Sequence, residues 1–407
     1  MRFRLYLKQF DDDGNYVDDW TEITEDVDTG ALADIRQVID DDQYDVGVFK
    51  FSDFAIKLRN EHGLYSDVGE LRSIFRYKRN GTRVRLTWQL QDFEPYPGVF
   101  YPGESFVGND EVEVFEGLLS DDASEIDVKD QIVNFKVRGL ESIFTSVVIP
   151  FADFSNGDLV SDLIKAAVNQ SEITDLLTYD ATKIVPGVDV PVDDVSEYEN
   201  KTVKEVLDEL LALSNSVFYV KNGTMYVTSR AAGATVVATF YGQASNIGVE
   251  NIIDLTNVRS GSAKMFNFAT WSETSLVSED TDSTGVYGVR KKEFSFAPIT
   301  DPGSQQDILD AYVDEFGQPK SSLTILVPLT EELLAVNVLD KVIIDYPTVF
   351  YAQQGAVVPI YGISKYGEAE YPFGTWSLTI LTTDEWKVMG KSLKTKLHQI
   401  EFQLRKV

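Results

Sequence analysis

The chain has 407 residues, enough for two or three domains with buried cores, and 66 Asp and Glu against 36 Lys and Arg give it a formal net charge of −30. That charge argues against nucleic acid or anionic lipid as the main ligand, because both are polyanions that bind positive surfaces. The absence of Cys and the presence of only two His, His62 and His398, exclude thiol nucleophiles, iron–sulfur clusters, Cys-zinc sites and multi-His metal centres.

β-strands dominate the pattern from the N-terminus onward. Residues 2–10 alternate apolar with charged or amphipathic side chains, and the N-terminus has no apolar core of signal-peptide length. No stretch of the sequence approaches the length of a membrane span. Asp13-Gly14 then predicts a two-residue hairpin turn, since both central positions of a type I′ turn need positive φ. The same signal recurs at Asn80-Gly81 and Asn222-Gly223. Further strands are predicted at 111–115, 133–138, 235–241, 266–272, 323–327, 341–346 and 376–381.

Three helices are predicted in the middle of the chain. Thr202-x-x-Glu205 is a capping box, followed by a stripe of apolar residues at helical spacing. A second helix is predicted over 158–169, and a third begins at Ser304 and ends at Gly317. This arrangement predicts a mainly β fold with an α/β insert, in which 1–146 form a β domain, 147–232 an α/β domain, 233–382 a second β domain and 383–407 a basic tail.

The tail has six large apolar residues at spacings of three and four, which predict an amphipathic helix. They are Trp386, Met389, Leu393, Leu397, Ile400 and Leu404. Gly390 and the alternation of residues 400–404 leave a final strand open as the alternative. We expect the tail to dock on a partner, chiefly through its first four apolar residues, because a lone short helix is marginal in water.

Two other segments are candidate partner contacts. A run of fourteen residues without an acid holds Arg72, Arg76, Lys78, Arg79, Arg83 and Arg85. On a strand pair this basic rib would either meet an acidic neighbour or pair with the chain's own carboxylates, and the sequence favours neither. The Pro- and Gly-rich segment 95–103 carries Tyr96, Phe100 and Tyr101, which would either anchor a partner or cover the β domain.

Nothing in the sequence predicts catalysis, a cofactor or a metal. No glycine-rich phosphate loop is present, and the Asp11–Asp13 run with Gly14 is out of register for a calcium loop, so we interpret it as an exposed acidic turn. No pair of carboxylates stands out for glycoside hydrolysis. We therefore expect no enzyme.

The order of several weak motifs resembles the tail hub, or baseplate hub, proteins of tailed bacteriophages and related contractile injection systems. Residues 45–51 and 58–66 are similar to a family strand and its L-x-N-x-x-G-x-(F/Y)-S segment, and 115–118 with 133–141 to its F-x-G strand and the next one. The helix and hairpin of 202–224 resemble the family's middle domain. Residues 338–344 and 361–363 resemble its closing L-G-D-x-V and Y-x-I strands, with Leu339 in place of the glycine.

The resemblance implies two tube-like β-barrel domains flanking the smaller α/β domain. It implies a homotrimer whose six similar modules form a ring, in the virion's tail tip or baseplate, assembled in the host cytoplasm. That ring would join the six-fold tail tube or distal tail protein to a three-fold tip, spike or tape-measure protein and let DNA pass. The resemblance implies no catalytic residues in this chain. The alternatives are a secreted carbohydrate-binding protein and a tail-associated hydrolase.

Overall fold

The fold is described from a computed structural model. It describes residues 2–28, 34–38, 52–60, 63–66, 72–78, 80–89, 111–127, 131–221, 223–230, 235–242, 251–259, 265–345, 350–353, 375–378, 385–394 and 399–406. The chain forms two compact units. The first consists of Met1–Arg230, Ala297–Ser304 and Ser392–Gln399, and the second consists of Ala231–Phe296, Gln305–Lys391 and Ile400–Val407.

Strands outnumber helices up to residue 230. The described strands are β1 (Arg2–Lys8), β2 (Thr21–Glu22), β3 (Ile35–Val38), β4 (Asp53–Arg59), β5 (Arg83–Gln89), β6 (Glu111–Asp127), β7 (Ile132–Gly139), β8 (Ile184–Val185), β9 (Ser216–Lys221) and β10 (Thr224–Ser229). The helices are α1 (Val160–Val168), α2 (Ser171–Thr174) and α3 (Val203–Leu213).

An antiparallel sheet forms the β part of the first unit, in the order β3-β4-β7-β6-β5-β1-β2. Alternate residues of β4 and β7 are buried, as period-two patterning requires when one face covers a core. Leu5, Ile56, Leu86, Trp88 and Phe135 are buried on that face. The opposite face of β1, β5 and β6 carries charged side chains.

The α/β part of the first unit packs two helices beside a three-stranded sheet, β8-β10-β9. Thr202 and Glu205 form the predicted capping box at the start of α3, each side chain accepting the other residue's backbone N–H. The apolar stripe of α3 is fully buried, as is that of α1. The predicted helices at 158–169 and after Thr202 are therefore confirmed.

A later segment completes the first unit. The Asp193 carboxylate accepts the Thr300 N–H and Oγ1–H at 2.7 and 2.8 Å, and the Asp301 N–H at 3.1 Å. The Asp193 N–H donates to the Pro298 carbonyl at 2.9 Å. These hydrogen bonds lower the pKa of Asp193. Residues 297–304 are thus fixed by residues more than a hundred positions earlier in the chain.

From residue 231 onward the strands again prevail. They are β11 (Val236–Tyr241), β12 (Asp254–Arg259), β13 (Phe268–Trp271), β14 (Val277–Glu279), β15 (Lys291–Phe294), β16 (Ser322–Pro328), β17 (Lys341–Asp345), β18 (Phe350–Gln353), β19 (Thr375–Leu378), β20 (Glu385–Lys394) and β21 (Gln399–Lys406). The helices are α4 (Thr281–Tyr287), α5 (Pro302–Phe316) and α6 (Glu331–Leu334). The third predicted helix is confirmed by α5.

The main sheet of the second unit has the order β12-β16-β21-β20, and β17 pairs with both β20 and β11. A smaller sheet, β14-β13-β15, lies near α4, and β18 pairs with β19. The molecule is mainly β with a smaller α/β part, as the sequence predicts.

The turns at two of the predicted hairpins differ from the expected type. Between β1 and β2, Gly14 has positive φ, at +83°, and Asp13 does not, so the turn is not of type I′. The Asp11 carboxylate holds this turn by accepting the Asp13 and Asn15 N–H groups. Residues 72–78 form turns and bends, so the predicted hairpin before Gly81 is wrong. Lys221 and Thr224 face each other across the predicted two-residue connection of β9 and β10.

The predicted amphipathic helix of the tail is wrong, and the strand alternative is correct. Trp386, Met389 and Leu393 lie on β20, and Ile400 and Leu404 lie on β21. All five are buried within the chain, so the expectation that the tail lies outside a domain core is not met. The apolar residues of the tail have helical spacing because β20 buries residues on both of its faces, so apolar and polar residues do not simply alternate along it.

Candidate partner interface

The strand part of the predicted basic rib is β5, whose Arg83 and Arg85 alternate with buried Val84 and Leu86. Arg72 and Arg76 are exposed in the turns of 72–78 instead of on a paired strand. Arg79 lies outside the described residues. The structure therefore separates the rib into two arginines on a sheet face and an exposed loop.

The two strand arginines pair with carboxylates of β6. Arg85 lies directly opposite Glu116 in the register, and its Nη2 is 3.2 Å from Glu116 Oε2. Arg83 Nε donates to Glu116 Oε1 at 2.7 Å. Arg85 Nε lies 3.0 Å from Glu113 Oε2. For these two arginines the structure supports the intramolecular interpretation.

Aromatic rings cover the same guanidinium groups. Arg85 lies 4.1 Å from the centre of the Trp20 ring, and Arg83 lies 5.8 Å from that of Tyr16. Tyr16 stacks on Phe10 at 4.5 Å and donates its hydroxyl hydrogen to the Gly81 carbonyl. Cation–π contact and hydrogen bonds together fix the turn before β2 against β5.

A second charged group lies at the other end of the face. Arg4 Nη1 is 2.9 Å from Glu111 Oε1, and the Tyr6 hydroxyl donates to Glu111 at 2.9 Å. The Thr87 hydroxyl donates to the same carboxylate at 3.0 Å. Burial, partly opposed by the hydrogen bond with Arg4, raises the pKa of Tyr6. Glu111 is therefore held by three side chains from two strands.

The charges on this face nearly balance. Arg4, Arg83 and Arg85 oppose Glu111, Glu113 and Glu116. Burial raises the pKa of Glu113, and repulsion from Glu116 adds to it against the attraction of Arg85. A fixed, paired array of this kind gives a partner a defined pattern of charge to match, with no excess positive charge to hold phosphate.

The other predicted contact residues divide into two groups. Tyr96, Phe100, Tyr101 and Leu397 lie outside the described residues. Trp386, Met389 and Leu393 are described, and each has at most 7% of its surface exposed. Buried side chains offer no surface to a partner, so the exposed candidates that remain from the prediction are Arg72 and Arg76.

The acidic half of the charged face was not predicted from the sequence. Glu111 and Glu113 alternate on β6 as Arg83 and Arg85 do on β5, which was the available signal. The basic tail contributes Lys387 and Arg405 to a group of cations in the second unit, and strand pairing brings Lys341 opposite Lys387. Among the described residues no group of three or more His, Asp or Glu could hold a metal ion. None of the described helices is long and apolar enough to cross a membrane.

Comparison with known proteins gives matches in structure and none in sequence. No protein-family profile matches the chain, and neither does any curated protein sequence. A tail protein from Neisseria meningitidis matches with a TM-score of 0.52 at 11% identity, covering 100% of this chain and 96% of its own. Prophage tail protein gp18 from Listeria monocytogenes matches with 0.52 at 9%, covering 99% and 94%.

A chain in the structure of a PdpA–VgrG complex matches with a TM-score of 0.50 at 9% identity, covering 100% of this chain and 65% of its own. At such identities the likeness concerns the fold. This chain therefore has the fold of phage tail proteins over its whole length, which agrees with the resemblance that its motif order suggests.

Proposed function

We propose that this protein is a structural virion component, a tail or baseplate hub whose copies form a homotrimeric ring. The observation that carries the proposal is the agreement in fold over 96% and 94% of two solved tail proteins. A small domain that occurs in many unrelated proteins would match only a part of each of these two tail proteins. A match over nearly the whole length of both supports the same domain content in the same order.

In this role the ring lies at the tail tip or baseplate of the virion and assembles in the host cytoplasm. Two tube-like β domains per chain give six modules in a trimer, which suits a six-fold tail tube or distal tail protein on one side. A three-fold tip, spike or tape-measure protein lies on the other. The net charge of −30 supports DNA passage, because carboxylates facing a channel repel phosphate.

The proposed role needs no catalysis. The chain has no Cys and only two His, and its charged face pairs its carboxylates with arginines. Cell-wall and glycan hydrolysis by the purified protein should equal the background. Turnover that a single carboxylate substitution abolishes would favour the tail-associated hydrolase, and glycan binding by a monomer would favour the carbohydrate-binding alternative.

The oligomeric state tests the proposal directly. Sedimentation of the full chain should give three times the chain mass, alone or with its tube partner, and particle images should have three-fold symmetry around a central hole. A monomer both in solution and in assembled particles would contradict the proposal. The exposed Arg72 and Arg76 should lie at a contact with another subunit or with the tube; finding Arg76 or Arg83 on the channel wall would contradict that assignment.

A further inference from the structure

Four cations of the second unit gather where α5 ends beside the main sheet. Glu315 on α5 pairs with Arg405 of β21, and Lys320 Nζ lies 3.1 Å from Glu315 Oε2. Lys341 of β17 and Lys387 of β20 are directly opposite each other in the antiparallel register. We call these four residues, Lys320, Lys341, Lys387 and Arg405, the cationic cluster.

Like charges directly opposite each other destabilise a strand pair. Lys341 Nζ is 3.0 Å from Glu385 Oε2, which offsets one of them. For Lys387, burial together with repulsion from Arg405, Lys320 and Lys341 outweighs the attraction of Glu315 and lowers the pKa to about 8. Two carboxylates, Glu315 and Glu385, pair with Lys320, Lys341 and Arg405, so the four cations exceed these two acids in charge.

The cluster is accessible to a partner at its edge. The side chains of Lys320 and Lys341 are 26% and 15% exposed, whereas that of Arg405 is 7% exposed. Charges in such a half-buried position interact more strongly than they would in open water, because less solvent screens them. An acidic segment is the partner that this arrangement suits best.

The chain itself presents such a segment in the first unit. The turn between β1 and β2 carries exposed Asp12, Asp13, Asp18 and Asp19. The Asp11 carboxylate fixes the shape of this turn through its hydrogen bonds to Asp13 and Asn15. Asp12 and Asp13 lie on the turn that Asp11 fixes, and Asp18 and Asp19 follow it as exposed residues; we call residues 11–19 the acidic turn.

We propose that the cationic cluster of one copy binds the acidic turn of a second copy. The inference rests on the proposed function in that the chain must self-associate. Because the two surfaces differ, the contact is head-to-tail, and repetition of such a contact closes a ring when the rotation allows. Charge complementarity between an acidic and a basic surface sets the choice of partner and the register.

Charge exchange in the full chain tests the contact. The double variant Asp12→Lys/Asp13→Lys changes exposed residues and should weaken self-association by at least about tenfold at low salt. Adding Lys387→Glu should restore part of it, because the substitution lowers the charge of the cluster by two and so weakens its repulsion of the lysines of the reversed turn. Glu197→Lys/Glu199→Lys, which makes the same charge change at exposed sites of the first unit, is the matched control.

Sedimentation at several salt concentrations measures these effects, and circular dichroism confirms that each variant is folded. The inference is supported if the wild-type and control chains associate alike, the Asp12/Asp13 variant loses self-association, and adding Lys387→Glu to that variant restores part of its self-association. If the wild-type chain associates and the Asp12/Asp13 variant does so equally well, the inference is wrong and the proposed function stands. If the wild-type chain never associates, even with its tube partner, the proposed function itself is wrong.

Discussion

Leu339 has a backbone φ of +69°, in the left-handed region that glycine enters without steric cost. Its N–H donates to the Val388 carbonyl at 2.7 Å, and the Asp340 carboxylate accepts the Asn337 N–H at 2.8 Å. The Leu339 side chain is buried, and its packing offsets the strain. This is the position where the L-G-D-x-V motif that the segment resembles has glycine, and its positive φ is the conformation that glycine adopts most easily.

Glu141 is a second residue in an unusual position. Its carboxylate is buried where β7 ends, and it accepts the Ser52 N–H at 2.8 Å. A side chain at Gly139 would collide with this carboxylate, so the glycine leaves the space that Glu141 fills. Burial raises the pKa of Glu141, with hydrogen bonds from Ser52 and its own backbone opposing the shift. The carboxyl is therefore protonated more readily in the folded chain than it would be in water.

Replacing Glu141 by Gln should change how stability depends on pH. Because the folded-state pKa is raised, the folded chain binds more protons than the unfolded one, so this group's contribution to stability falls as pH rises above the unfolded pKa of about 4.3. Glu141→Gln removes that fall while keeping an acceptor for Ser52. We expect urea unfolding of both proteins from pH 4 to 8 to give a difference in free energy that shifts in favour of Gln as the pH rises, and that levels off once Glu141 is ionised in the folded chain.

A difference between these two proteins that stays constant over the same pH range would contradict a raised pKa at Glu141. Glu197→Gln is the matched control, since Glu197 is exposed. Its free energy of unfolding should follow the wild-type pH dependence.

At the scale of elements, local signals predicted local structure well. The Thr202–Glu205 box and Gly317 gave the start of α3 and the end of α5, because caps depend on residues three or four positions apart. The signal failed where pairing between distant strands decides the outcome. β20 contacts β17 and β21 and buries both faces, which no local period predicts.

The strand hairpin of β20 and β21 should therefore be essential for folding. Trp386 is fully buried, and Trp386→Ala is expected to lower the free energy of unfolding by about 3–5 kcal/mol. Deleting residues 384–407 removes two strands from the main sheet of the second unit and should prevent that unit from folding. Thermal unfolding and near-ultraviolet circular dichroism measure both changes.

Val289→Ala is the control for Trp386→Ala, because Val289 is an apolar residue of the same unit that is 64% exposed; its effect should stay within about 0.5 kcal/mol. If the truncated chain keeps an unchanged melting temperature and loses only assembly, the tail is not needed for folding, and its predicted role as a docking element is supported.

For the whole molecule, the net charge follows most directly from the sequence. The pairing of charges on the candidate interface is the feature that the sequence predicts least. The composition gives the −30 directly, but no local pattern says that Glu116 of β6 pairs with Arg83 and Arg85 of β5. That pairing depends on strand register, and a shift of one residue would face the arginines with other side chains. The basic rib was therefore found by sequence, and its acidic partners were not.

The same charge predicts weak binding of DNA. With its strand arginines already paired, the chain has little free positive surface in the described face to neutralise phosphates. Purified protein mixed with duplex DNA at low salt should leave the mobility of the DNA unchanged. Salt-dependent retardation of the DNA would contradict this expectation and indicate a cationic surface that phosphate can reach.

The hydrogen bonds between Asp193 and residues 298–301 have a consequence for synthesis of the chain. The first unit includes residues 297–304 and 392–399, so a ribosome has made residues 1–391, including most of the second unit, before the first unit has all its parts. Domains usually fold in the order in which they emerge. Here the first unit is complete only once residues 392–399 have been made, by which time most of the second unit has been synthesised as well.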